Sequence, residues 1–399
     1  MKIIYIHQYF CTPDMPGNTR SYEMAKRLVQ FGHEVTIITS DRNPSSSSIY
    51  TSSESGICIH WLPIKYNNRF GFFRRLVSFF QFAYSSFLLA IKNEADIVFA
   101  SSTPLTVALP GVFVSKKLNA PFIFEVRDLW PEVPIAMGEL KNPILKFFAY
   151  KLAKFAYHNA SHVITLSQDM ADGVTKIMPT LSKVSVISNG ANINLFSSIV
   201  TSETSIKNKY HIPSDCLLFV YAGAFGKVNG LDYLVYLAKE FLGDNRIIFL
   251  AIGDGKELNY INSLANELGI LNQNFFIHSS VPKYELIKLL HEADIASSFV
   301  IPVKELESNC ANKLFDGLAS GSCFVINYGG WQSKLLAEYN CGITLSHTPF
   351  VGYKQLCNLI DHPELLNSMK TNAYNLAKSE FSYNYLAKKL ETIFIGELM

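Results

Sequence analysis

The chain has 399 residues, is rich in Phe and Tyr, is 49% hydrophobic, and carries a net charge of only +2. That length supports two or three domains with sizeable cores, and so small a charge argues against nucleic-acid binding by the chain as a whole. Seven scattered cysteines with no C-x-x-C pair argue for reduced thiols, and against a disulfide framework or a zinc site.

The opening M-K-I-I-Y-I-H-Q-Y-F holds too short an apolar run for a signal peptide and predicts a first strand over 2–6. A Pro/Gly loop at 11–19 leads into a helix over 20–30 closed by Gly32, then a strand over 34–39. This β-loop-α-β unit begins a doubly wound parallel sheet. The Ser- and Asn-rich stretch 42–55 reads as a mobile loop without chemistry, and further strands are predicted at 57–62, 96–100, 121–125, 162–166 and 184–187. No run of about 18 apolar residues is free of polar breaks, so no spanning helix is expected. Polar residues 197–205 mark a domain boundary, which divides the chain into 1–195 and 196–382. Strands then recur at 217–221, 247–252, 275–278, 295–298 and 323–326, with helices at 231–241 and from an N-cap at Asn312 to a stop at Gly321. An amphipathic helix at the end, within 383–399, is expected to cross back onto the first domain. The fold class is α/β, with two Rossmann-like domains facing across a cleft and the site between them.

Four stretches carry candidate chemistry. Gly223, Gly226 and Gly230 form a G-x-x-G-x-x-x-G loop between a strand and a helix, where backbone N–H groups can approach a diphosphate and Lys227 adds charge. It is not the dinucleotide fingerprint, which disfavours an NAD-dependent oxidoreductase. In the corresponding place of the first domain, Pro16, Gly17, Asn18, Thr19 and Arg20 suit a sugar or phosphate, unless Gly17 serves the turn and Asn18 or Thr19 caps the helix. Glu125, Arg127, Asp128 and Glu132 surround Trp130 at the end of an apolar strand; they can steady a sugar or a leaving phosphate, or an internal Arg–Asp pair can lock the loop. Asn312 and Asp316 share a helix face, where a carboxylate can accept both ribose hydroxyls; a capped core helix with a solvated Asp is the competing reading.

His158 and His162 have metal-ligand spacing but no third ligand, and no D-x-D occurs, so no metal is expected. Residues 65–92 and 141–158 are basic, aromatic and free of acid; they read as helices lying on an anionic bilayer, or as ordinary helices with core-facing Phe.

With H-Q-Y-F and G-N-T-R-S-Y-E-M-A near the start, R-D-L-W-P-E, Y-A-G-A-F-G-K-V-N-G-L, and N-K-L-F-D-G-L-A-S-G, the chain resembles the family 4 glycosyltransferases of GT-B fold. Among them it is similar to bacterial O-antigen and capsule enzymes such as the N-acetyl-L-fucosamine (L-fucosaminyl) transferases. The resemblance implies a nucleotide-sugar donor in the second domain, an acceptor in the first, and retention of configuration without metal or other cofactor. It places Asp316 on the ribose, and Ser308 at the first position of the family's glutamate pair, with Glu305 and Glu307 nearby. The usual Arg and Lys of the phosphate loop fall on Ala224 and Asn229, so Lys227 and Lys313 are expected to replace them. Arg127-Asp128 stands where the family has His-Asp, so no His is expected there as a base. The departing diphosphate then takes the acceptor's proton, with Arg127 and Lys227 stabilising its charge.

The expected activity is transfer of a sugar, N-acetylated, from a UDP-sugar to an undecaprenyl-diphosphate-linked saccharide. This would occur at the inner face of the cytoplasmic membrane, in O-antigen or capsule synthesis. Gly17, Asn18 and Arg20 would lie on the acceptor side. The alternatives are a nucleotide-sugar epimerase of the same fold and a non-catalytic membrane-associated scaffold.

Overall fold

The computed structural model describes residues 1–15, 17–67, 70–181, 183–198, 205–209 and 211–399. Pro16, Arg69 and most of the polar stretch 197–205 lie outside the described residues. The chain forms two compact units, Met1–Ser188 with Tyr383–Met399, and Asn189–Ser382. The break follows Ser188, not residue 195, because the segment after it is tied to the second unit. There the Ala191 N–H donates to Phe381 O at 2.9 Å, and His291 donates to Phe196 O at 2.8 Å.

The first unit runs β1 (Lys2–Ile6), α1 (Arg20–Gln30), β2 (Glu34–Asp41), β3 (Tyr50–Glu54), β4 (Ile57–Pro63), α2 (Phe72–Ala90) and β5 (Ile97–Ser101). It continues with α3 (Ala108–Leu118), β6 (Phe122–Val126), α4 (Glu132–Ala136), α5 (Pro143–Asn159), β7 (His162–Thr165), α6 (Gln168–Ile177) and β8 (Val184–Val186). The sheet order is β3-β4-β2-β1-β5-β6-β7-β8, parallel except for β3. β5 and β6 are buried at every position, so their sequences are apolar runs and not alternations.

The mobile loop expected at 42–55 instead contains β3. Its polar Y-T-S-S-E shows no apolar alternation because it is an edge strand facing water. Ser55 and Gly56, both at positive φ (52° and 80°), make the two-residue turn that folds it onto β4. Trp61 Nε1 then donates to Ser52 Oγ at 2.9 Å, while its ring stacks on Tyr50.

The second unit runs α7 (Ile193–Ser198), α8 (Ile206–Lys209), β9 (Leu217–Ala222), α9 (Asp232–Glu240), β10 (Ile247–Ile252), α10 (Leu258–Glu267), β11 (Phe275–His278) and α11 (Lys283–Glu292). It continues with β12 (Ile295–Ser298), α12 (Asn312–Ala319), β13 (Cys323–Ile326), α13 (Trp331–Glu338), β14 (Gly342–Thr344), α14 (Pro349–Ile360) and α15 (Pro363–Glu380). Its all-parallel sheet has the order β11-β10-β9-β12-β13-β14. The last helix, α16 (Tyr383–Gly396), belongs to the first unit, where Arg27 Nε donates to Asn384 Oδ1 at 2.5 Å and Phe394 meets Phe99 edge-on.

Each sheet reverses its winding direction once, beside β1 and β5 in the first unit and between β9 and β12 in the second. Loops leaving the carboxyl ends of such strands diverge and leave room for a ligand. Both glycine-rich loops singled out in the sequence leave strands at these two places. Among the described residues, no helix is long and apolar enough to cross a membrane.

Candidate active site

In the second unit the loop after β9 meets the first turn of α12. Lys313 reaches from that turn to donate to Tyr221 Oη and Asn229 Oδ1, both at 3.0 Å. Its ammonium also lies 4.4 Å from the centroid of the Tyr221 ring. The Lys313 Cε occupies the space that a Cβ on Gly223 would need, so the bare glycine backbone lets this lysine lie directly against the loop, and a larger residue would push the ammonium aside. Both hydrogen-bond partners are neutral, and no carboxylate pairs with Lys313 among the described residues. Burial lowers its pKa from the ordinary lysine value to about 7.

Lys227 opens a 3₁₀ turn, Lys227–Asn229, between Gly226 and Gly230, and its side chain is exposed with no partner among the described residues. Gly230 closes the turn at φ +48°, a backbone conformation that glycine tolerates best. Asn229 anchors the loop by donating to Ala224 O at 2.9 Å while accepting from Lys313.

Asn312 does not cap α12. The extended Ala311 occupies the cap, and Asn312 is the first helical residue, its carboxamide without a partner among the described residues. Asp316, one turn on, is ion-paired with the half-exposed Lys283 of α11. Asp316 and Lys313 both line a small recess bounded by Val220, Ala222, Leu286 and Ser297. A ribose reaching Asp316 must displace Lys283, a weak obstacle since exposed pairs contribute only about 0–1 kcal/mol. The three candidates before α12 diverge. Glu305 is exposed, and Glu307 leans on the backbone of Gly329. Ser308 is buried, its hydroxyl donating to Glu305 O at 2.9 Å.

In the first unit Arg20 is fully buried and does not line an acceptor site. Its Nε and Nη2 donate to Glu125 Oε1 at 3.1 and 2.8 Å, and its remaining donors meet the carbonyls of Ile187 and Ser188. The pair welds the start of α1 to the ends of β6 and β8. Burial alone would push the Glu125 carboxyl up, but Arg20, Arg127 and the Ser101 hydroxyl outweigh it and hold it below the usual range. Asn18 is a turn residue, with Oδ1 accepting the Arg20 N–H at 2.8 Å. Gly17 (φ +146°) packs so close to Cys11 Sγ that a Cβ would lie 2.5 Å from it.

Arg127 and Asp128 follow β6. No ion pair joins them among the described residues. Instead Arg127 Nη1 lies 3.3 Å from His7 Nε2, and the Arg127 N–H donates to Ser102 Oγ at 3.0 Å. A guanidinium only donates, so His7 Nε2 accepts and its proton sits on Nδ1, 2.9 Å from Ser21 Oγ. Burial, reinforced by Arg127 and Arg42, keeps His7 well below the usual histidine range and therefore neutral. The Asp128 side chain reaches water, yet protein crowding raises its carboxyl to about 6 against the pull of Arg127. A histidine does therefore stand beside this pair, contrary to the reading that none is available there. It comes from the residue just past β1, 120 positions from Arg127.

His162 is engaged by Glu397 and Ser185, and no group of three or more potential ligands is assembled among the described residues.

Residues 17–190 match the family model described as Glycosyl transferase 4-like domain, and residues 202–348 match Glycosyl transferases group 1. Both halves of the chain belong to glycosyltransferase families. The chain is 23% identical over 292 residues to the Escherichia coli (strain K12) protein named colanic acid biosynthesis glycosyl transferase WcaI, covering 69% of this chain and 71% of that one. Its structure is similar to that of Anabaena HepE in complex with UDP-glucose, at TM-score 0.70 and 14% identity over 99% of this chain and 100% of that chain. It is also similar to WaaG, a glycosyltransferase involved in lipopolysaccharide biosynthesis, at TM-score 0.71 and 15% identity over 99% of this chain and 100% of that chain. These likenesses establish the GT-B fold.

The glycosyltransferase thus brings Gly223, Lys313 and Asn229 together in one place and sets Lys227 free at the rim of the same loop. It removes Arg20 from the candidates and adds His7. The signal for His7 was legible, as a polar residue one step past the carboxyl end of a buried strand; its neighbour Arg127 was not.

Proposed function

We propose that this glycosyltransferase moves a sugar, with retention of configuration, from a UDP-sugar to a lipid-linked saccharide in O-antigen or capsule synthesis. The observation that carries the donor side is Lys313. A half-buried ammonium held only by neutral partners, lying against the bare backbone of Gly223, is matched by a diphosphate. Lys227 adds a second cation at the rim, Asp316 takes the ribose, and Asn312 and Glu307 face the donor sugar. The leaving diphosphate accepts the acceptor's proton, so the reaction needs neither a metal nor another cofactor. Arg127, aimed by neutral His7, and Asp128 act on the acceptor side. The polysaccharide context rests on the names of WcaI and WaaG, and the UDP assignment on the ligand in HepE.

A membrane-bound acceptor is supported by the outer face of the first unit. Phe73, Val77, Phe80, Tyr84 and Leu88 repeat at helical spacing along α2 and are all exposed. Phe113 of α3 and Ile144, Phe147 and Phe148 of α5 extend this apolar surface, with Arg74, Lys116, Lys117, Lys151 and Lys154 around it. Apolar side chains flanked by cations suit an anionic bilayer surface at the cytoplasmic leaflet.

The test is a thermal-shift panel of UDP, GDP, dTDP and their sugars, without metal, on wild type and Lys313→Ala. UDP and UDP-sugars should raise the melting temperature of the wild type and lose roughly tenfold to a hundredfold in affinity in the variant. Conversion of a UDP-sugar in the absence of any acceptor would point instead to an epimerase. No shift with any nucleotide, in a protein shown to be folded, would move the reading to a scaffold.

A further inference from the structure

A second group of cations in the first unit is used by neither the donor site nor the buried Arg20 pair. Arg42 follows β2, with Nη2 3.5 Å from Cys11 Sγ, and Arg75 lies in the first turn of α2. Tyr9, just past β1, packs its ring on Tyr66 with centroids 4.8 Å apart; the Tyr66 N–H donates to Arg42 O at 3.3 Å, and the Tyr66 ring stacks on Phe79, one turn along α2 from Arg75. The charge of Arg42 also reaches His7, and the Cys11 thiol feels Arg42 and Arg127 together. Arg42 therefore links the Tyr9–Arg75 corner to the Arg127 end. Among the described residues no carboxylate forms an ion pair with Arg42, Arg75 or Arg127.

The same corner is short of hydrogen-bond partners. Arg75 Nε and both amide atoms of Gln8 are buried without a partner among the described residues, Gln8 is fully buried, and the Tyr9 hydroxyl has only the phenol of Tyr66 beside it. Roughly nine in ten buried polar groups in folded proteins are satisfied, so several orphans around one strand end mark a place that something else completes. The groups on offer are mainly donors: two guanidinium forks, a phenol and a carboxamide. Donors of that kind, with unbalanced positive charge, match an oxyanion with several acceptor oxygens, and planar guanidinium groups suit phosphate.

We infer that Arg42, Arg75 and Tyr9, with Gln8 behind them, form a binding site for a phosphate or diphosphate group carried by the acceptor. This inference rests on the proposed transfer to a lipid-linked acceptor and deepens it. Helix α2 turns Arg75 inward, on the face whose Phe79 stacks on Tyr66, and presents the exposed Phe73–Val77–Phe80–Tyr84–Leu88 stripe on its opposite face. A phosphate held between Arg75 and Arg42 leaves the attached sugar to extend past Arg42 towards His7 and Arg127. Arg127 serves the sugar end, while Arg42 and Arg75 bind the phosphate that fixes its register.

The experiment uses the full chain and two probes, inorganic pyrophosphate and geranyl diphosphate, titrated calorimetrically into wild type, Arg42→Gln/Arg75→Gln and Lys313→Ala. The Lys313→Ala protein removes the donor diphosphate site from the measurement. Expected results are that Lys313→Ala still binds geranyl diphosphate, whereas the double variant loses tenfold or more in affinity and keeps its UDP-induced thermal shift. Geranyl diphosphate binding more tightly than pyrophosphate assigns the site to a lipid headgroup, and equal affinities assign it to a soluble phosphate ester. If the double variant does not fold, Tyr9→Phe and Arg75→Lys carry the same comparison with a smaller expected loss. Absence of binding to wild type, or binding lost in Lys313→Ala and unchanged in the arginine variants, overturns the site. A wild type that shows no UDP shift but loses diphosphate binding on Arg42/Arg75 substitution breaks the donor reading and leaves this one standing.

Discussion

Arg20 and Lys313 look alike in the sequence: each is a cation in the first turn of a helix, next to a glycine-bearing loop at a strand's carboxyl end. In the structure they differ in what they touch. Arg20 has no exposed surface and is neutralised by Glu125, with carbonyls taking its remaining donors. Lys313 is held by a phenol and a carboxamide and lies against bare glycine backbone. A buried, paired cation with all three guanidinium nitrogens engaged has little left for a ligand, whereas one that is desolvated but unneutralised gains from an anion. The partner's charge therefore separates structural cations from binding ones here, and loop position does not.

The sharpest way to break this contrast is Arg20→Ala. Removing it leaves Glu125 buried and unpaired, and the loss of stability should be about 3–5 kcal/mol by chemical denaturation. A folded, equally stable variant with weakened acceptor binding would put Arg20 back in the site.

A pH profile tests the other half of the comparison. Burial holds Lys313 near 7, so the protonated form that binds a diphosphate is lost as pH rises through that value. The donor KM should climb above pH 7, approaching about tenfold per pH unit, and Lys313→Arg should flatten the rise. A flat wild-type profile between pH 6 and pH 9 would show that Lys313 does not meet the donor's charge.

The smallest effect is expected at Asp316. Asp316→Ala breaks only a partly exposed pair with Lys283, worth under about 1 kcal/mol in stability. It should nevertheless raise the donor's apparent KM several-fold and cut turnover, measured by steady-state kinetics. Unchanged kinetics would leave Asp316 as a surface ion pair and nothing more.

Much of this was readable before any coordinates. Buried parallel strands are apolar runs, and glycine at a strand's end marks a tight turn, so nearly every strand of both sheets and the β9 loop could be placed from local pattern. The exceptions are instructive. β3 escaped because an edge strand facing water needs no apolar face, and Asn312 was misplaced by one residue because Ala311 takes the extended cap conformation without a capping side chain.

What sequence alone determined was the class: two α/β halves, a glycine-rich loop with cations near it, and basic aromatic helices in the first half. What only the tertiary structure decided was which cation is free. Arg20 meets Glu125 across 105 residues, and His7 meets Arg127 across 120. Such pairs are set by strand order in the sheet, which places β1 and β6 on either side of β5 with their carboxyl ends together. No local periodicity records that order, because it comes from how distant strands share hydrogen bonds and not from the residues beside each charge.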